Sequence, residues 1–177
     1  KRKLVMLGLR RIFALGALLL IPAVACEQVL DIQDPSLDPC TEYCEAALAN
    51  CQDDLEQYPT FDVCLSTCQA FEIGVEGVNN QNDVQCRLAQ ARSAAGEAIV
   101  HCPQAGPAGD SCGGNECANF CDLFFEICPS LAGETLENEG QCEDACRDFA
   151  RANGGVFTSK VIDGDSLECR WYHLEAA

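Results

Sequence analysis

Beyond residue 37, the apolar positions that recur at helical spacing are largely cysteines. Cys40 and Cys44 stand four apart, as do Cys64 and Cys68. Residues four apart share one face of a helix, about 6 Å apart along its axis. Nineteen residues separate the two pairs, enough for a helix end, a turn and a new helix start. Folded antiparallel, the two helices bring the pairs together as two rungs, Cys40–Cys68 and Cys44–Cys64. The pattern returns at Cys117, Cys121, Cys128, Cys142 and Cys146. The first gaps are identical, three residues and then six. The next is twelve residues in one copy and thirteen in the other, and three follow in both. A repeat this regular is a stronger signal than any single motif.

Capping residues mark the same helices independently. Asp38-Pro39 precedes Cys40 and Asn115-Glu116 precedes Cys117, each an N-cap with its first helical residue. Pro59-Thr60 precedes Cys64, and Asn138 with Gln141 forms a capping box before Cys142. Asn82 with Gln85, and Asp165 with Glu168, open a third helix in each copy. The predicted helices span about 39–53, 60–72, 83–100, 116–129, 139–152 and 166–175. The third helices share a signature, VQCRL against LECRW. No alternating strand pattern of useful length is present, although 156–162 has the makings of a short extended piece. The fold class read from this is all-α, two tandem disulfide-stapled three-helix units built on antiparallel helical hairpins.

The same hydropathy pattern divides the chain. Residues 1–11 are basic, and Ile12–Ala25 are fourteen largely apolar residues, too few for a spanning helix and fitting for the core of a signal peptide. Ala23-Val24-Ala25 is a small-residue cleavage site, and Cys26 follows. This stretch resembles the lipobox of bacterial lipoproteins. The resemblance implies that diacylglycerol is attached to the Cys26 thiol and that cleavage leaves Cys26 as the first residue. Residues 26–37 then read as lipid anchor and acidic tether, 38–102 as unit one, 103–114 as a Pro/Gly linker and 115–177 as unit two. From Cys86, a step of sixteen residues reaches Cys102; the same step from Cys169 passes Ala177, so the second unit reads as clipped or as stopping early.

Fifteen cysteines cannot all pair, and lipidation of Cys26 leaves fourteen. The twin pairs predict Cys40–Cys68, Cys44–Cys64, Cys117–Cys146 and Cys121–Cys142. Cys51 lies two turns beyond Cys44 on the same face, which predicts Cys51–Cys86 and, by repetition, Cys128–Cys169. Cys102 and Cys112 remain and bracket the linker as a small loop. Cysteine at this density belongs to oxidising compartments, where bridges replace part of an apolar core. The twin C-x3-C hairpin resembles the α-hairpinin fold, a likeness that implies fold and not activity. With VQCRLAQA, VHCPQAGPAGDSCG and LECRWYHLEAA, the chain is similar to the tandem cysteine-rich lipoproteins of myxobacterial type.

Charge narrows the partners. The formal charge is −17, and after residue 25 only six Lys or Arg face twenty-eight Asp or Glu. Such a surface repels phosphate backbones, so nucleic acid is not expected. Candidate chemistry is sparse. His101 and His173 are the two histidines, C-x2-C spacing does not occur, and no phosphate-binding, dinucleotide or Gly-x-Ser-x-Gly motif is present. No catalytic residue, metal site or cofactor is expected, and the chain is not expected to be an enzyme. Asp53, Asp54 and Glu56 read as a solvated hairpin tip, and Asp163, Asp165 and 79–83 as turns and caps. Arg170, Trp171, Tyr172 and His173 read chiefly as a packed aromatic patch and, alternatively, as a partner contact.

The expected function is that of a structural or interaction protein of the bacterial cell envelope, on the outer membrane or cell surface rather than the inner membrane. It would be held to the membrane by its N-terminal lipid and would present a rigid acidic surface to a protein, glycan or cation. The alternatives are a periplasmic metal- or thiol-handling protein and a hydrolase inhibitor.

Overall fold

The computed structural model describes residues 38–109, 111–131 and 136–177. The signal segment, Cys26 and the tether lie outside the described residues. Each helix begins where the chain supplies an oxygen for its free backbone N–H groups. Helix α1 (Pro39–Asn50) is capped by Asp38, whose carboxylate accepts from Thr41 N at 3.3 Å. Helix α2 (Phe61–Gln69) is capped by Thr60 through Val63 N at 3.2 Å. Helix α3 (Val84–Ala105) is capped by Asp83 through Cys86 N at 2.8 Å. In the second copy, Asn115 caps α4 (Glu116–Ile127), Asn138 caps α5 (Glu139–Arg147) and Ser166 caps α6 (Leu167–Glu175). The described residues contain no strand, only two isolated bridges.

The hairpin rungs form as the spacing requires: Cys40–Cys68, Cys44–Cys64, Cys117–Cys146 and Cys121–Cys142, with Cα separations of 5.6–5.8 Å. The likeness between the copies extends past the cysteines. Glu72 pairs with Asp83, and Ala150 with Ser166, each tying the end of a hairpin to the start of the third helix. Arg87 lies over the Phe71 ring at 3.9 Å, and Arg170 over the Phe149 ring at 4.1 Å. The caps Asp83 and Ser166 each sit one residue later than the sequence suggested, because these bridges fix where the third helix starts.

Three expected bridges do not form, and one structural feature accounts for two of them. Helix α3 is not a rod ending near residue 100. It breaks at Glu97 (φ −148°, ψ 70°), next to Gly96, and its second arm folds back, so that His101 meets Gln90 at 2.8 Å. The returning arm carries Cys102 to the end of α1, where it bonds Cys51 in place of Cys86. The chain beyond the arm then brings Cys112 to the base of α3, where it bonds Cys86. The expected Cys51–Cys86 bridge and Cys102–Cys112 loop are therefore both replaced. The third expected bridge is absent too: Cys128 and Cys169, the counterparts of Cys51 and Cys86, do not bond each other and are free thiols.

Nor is 103–114 a free spacer. Asn119 of α4 donates to Ala108 O at 2.7 Å, and Arg87 donates to Pro107 O at 3.1 Å. Gly113 has φ +100°, and a β-carbon there would collide with Asn82, so only glycine suits the position. One apolar cluster of buried residues runs from Cys40 to Leu174 and draws on both copies. The hairpin tip is clamped as well. Glu56 O accepts from Ser159 N at 2.8 Å, and its carboxylate accepts from Ser159 Oγ at 2.7 Å and Lys160 Nζ at 2.8 Å. The stretch expected as an extended piece thus grips the tip expected to be solvated.

Candidate functional site

Where the first copy is closed, the second is open. A cavity of about 680 Å³ lies between α4, α5 and α6, walled by Phe120, Phe124, Phe149 and Leu174. Both free thiols, Cys128 and Cys169, line it. Cys128 is half-buried and Cys169 is 4% exposed. Asp163, Asp165, Arg170 and His173 stand at its polar side, with Arg170 ion-paired to Asp165. Its volume and apolar lining fall in the range of small-ligand and peptide-anchoring sites.

The first copy shows what this face does when covered. Cys51 corresponds to Cys128, Cys86 to Cys169, Ala91 to Leu174 and Ala94 to Ala177. There, Cys51, Ala94 and Cys102 form a small buried cluster, flanked by Leu55 and Ala98. The Tyr43 hydroxyl donates to Ala105 O at 2.6 Å and meets the Tyr58 hydroxyl at 2.7 Å. The covering layer is the second arm of α3.

The four residues read chiefly as a packed aromatic patch divide between core and surface. Trp171 is fully buried, edge-on to Phe120 at 5.2 Å and tilted against Phe157 at 6.1 Å, so it is core. Tyr172 and His173 pack edge to face at 5.3 Å. Arg170 stacks on Phe149 and not on its aromatic neighbours. His101 lies within the returning arm.

Several buried polar groups carried no sequence signal. Arg87 is fully buried, bonded to Asn82 Oδ1 at 2.7 Å, Asp83 O and Pro107 O. Burial lowers its pKa, opposed by the nearby Tyr43, Tyr58 and Asp83. Desolvation pushes the Tyr43 and Tyr58 hydroxyls up, so both are neutral donors at any ordinary pH. Glu175 is 4% exposed with neither carboxylate oxygen hydrogen-bonded, and desolvation raises its pKa well above the usual carboxylate value. Among the described residues, no three His, Cys, Asp or Glu side chains are grouped to hold a metal ion, and no helix is long and apolar enough to cross a membrane.

These features define a cysteine-rich, disulfide-stapled all-helical protein. Residues 36–120, just under half of the chain, match the BfoA family C-terminal domain. The matched stretch holds the first hairpin, both arms of α3, the loop to Cys112 and the start of α4. No curated protein and no solved structure matches the chain.

Proposed function

We propose that the protein is a non-catalytic structural or interaction component of the bacterial envelope, tethered through lipid on Cys26 and offering a rigid acidic helical surface to a partner. The observation that supports this reading most is the joining of six bridges with a strongly acidic composition. Twelve of the described cysteines are spent on holding shape, and six cationic side chains face twenty-eight acidic ones after residue 25. Five of those six, Arg92, Arg147, Arg151, Lys160 and Arg170, are drawn into ion pairs at the surface. Uncompensated carboxylates therefore dominate what a partner meets.

Support for the lipid rests on the residues around Cys26 and no longer on cysteine parity, since Cys128 and Cys169 are free in their own right. The test is expression of the full chain in a Gram-negative host, with intact mass of the membrane-extracted protein. The expected result is loss of residues 1–25 and an added diacylglycerol and acyl mass on Cys26, abolished in Cys26→Ala. Recovery of the chain in the soluble fraction at its unmodified mass overturns the anchor.

A metal- or thiol-handling role is the second reading, favoured by two free thiols on one cavity beside His173. Titration with Cu(I) separates the two: stoichiometric binding lost in Cys128→Ser and Cys169→Ser supports handling, and its absence leaves the scaffold reading.

A further inference from the structure

The first copy is the reference for the same face of the second. In the first copy, α3 leaves Cys86, runs past Ala94, breaks at Glu97 and returns over its own hairpin. The returning arm places Cys102 on Cys51, and the loop behind it places Cys112 on Cys86. The arm turns small side chains inward: Ala98 is half-buried, and Cys102 and Ala105 are buried, at helical spacing on one face. Cys102 and Cys112 lie sixteen and twenty-six residues beyond Cys86.

The second copy matches this construction up to Ala177, the counterpart of Ala94. The hairpin rungs, the bridge to the third helix and the arginine stacked on phenylalanine are all present. The two thiols left free are the two whose counterparts bond the returning arm. The apolar cavity occupies the face that the arm covers in the first copy. Three independent features, two thiols and a cavity, thus point to one occupant.

We infer that the cavity of the second copy is a receptor for a two-cysteine helical arm of the Gly96–Cys112 kind, entering in line with α6 and bonding Cys128 through its first cysteine and Cys169 through its second. Small side chains enter between Phe120, Phe124 and Leu174, and the two bridges lock them there. Each bridge joins two thiols, which give up two protons and two electrons. One disulfide of the glutathione class accepts them and becomes two thiols. The receptor is independent of the fate of Cys26.

The test extends the full chain at Ala177 with a second copy of its own residues 95–112, refolded in reduced and oxidised glutathione. Beyond residue 26, the expected result is a fall in free thiols from two to none, with peptide mapping that places the grafted cysteines on Cys128 and Cys169 in that order. Thermal unfolding should rise by several degrees, and a graft with both cysteines changed to serine should leave both thiols free. Should the extended chain fold poorly, a synthetic 95–112 peptide is added to the unextended protein, which then gains exactly one peptide mass through the same two bridges. A direct Cys128–Cys169 bond, scrambled pairing, or thiols that stay free with both graft and peptide would overturn the inference.

Discussion

The two copies are built on the same hairpin and differ over one face of it. In the first, α3 folds back and seals the hairpin with two bridges, and a buried arginine ties the seal to the linker. In the second, the corresponding face is a cavity with two free thiols. The rungs alone therefore set the hairpin but do not close it. Closure depends on a separate segment, and that segment decides where the long-range cysteines go.

The largest effect expected from breaking this comparison lies at the equivalent positions Cys51 and Cys128. Cys51→Ser should cost about 2–5 kcal/mol by releasing the arm, whereas Cys128→Ser should change stability by less than about 0.5 kcal/mol. Chemical denaturation of the two variants measures the contrast, and equal losses would erase the distinction between sealed and open copies. Next is the repeated arginine. Arg87→Met should cost about 3 kcal/mol, because it strands buried acceptors on Asn82, Asp83 and Pro107. Arg170→Met, at a half-exposed stack with an exposed ion-pair partner, should cost under about 1 kcal/mol.

Two carboxylates sharpen the comparison through pH. Glu175 has a raised folded pKa because burial disfavours its charge. The folded state therefore holds its proton longer than the unfolded chain does, and stability falls as pH rises above the ordinary carboxylate value of 4.5. Glu175→Gln should thus stabilise by about 1 kcal/mol at pH 7 and by little at pH 4, as read from thermal unfolding. Glu56 has the opposite sign. Partial burial pushes its pKa up, but the hydrogen bonds from Lys160 and Ser159 win and lower it. Its contribution is present above pH 4.5 and is lost as pH falls through the lowered value. Glu56→Gln should cost no more than about 0.5 kcal/mol at pH 7.

The rungs were legible because cysteines four apart on a helix leave little freedom in pairing. Caps were legible at Asp38, Thr60, Asn115 and Asn138 because an oxygen-bearing side chain precedes an obvious helix. At the third helices two adjacent residues, Asn82 with Asp83 and Asp165 with Ser166, competed, and a backbone bridge from another part of the chain settled the choice. The break at Glu97 was not legible. A lone glycine is tolerated inside a helix, and the alanine-rich run on either side of Gly96 reads as continuous. Missing that break misplaced Cys51, Cys86, Cys102 and Cys112 together. The cavity was hidden for the same reason, since it shows only when one copy's covering arm is compared with the other's bare face. Arg87, Asn119 and Glu175 gave no local signal, because their burial comes from contacts between the copies and the linker.

Peptide mapping of the unreduced, thiol-blocked protein tests the central claim most directly. The account predicts Cys51–Cys102 and Cys86–Cys112 alongside the four hairpin rungs, with the blocking label, among the described residues, on Cys128 and Cys169 alone. Finding Cys51–Cys86 together with Cys128–Cys169 would contradict it.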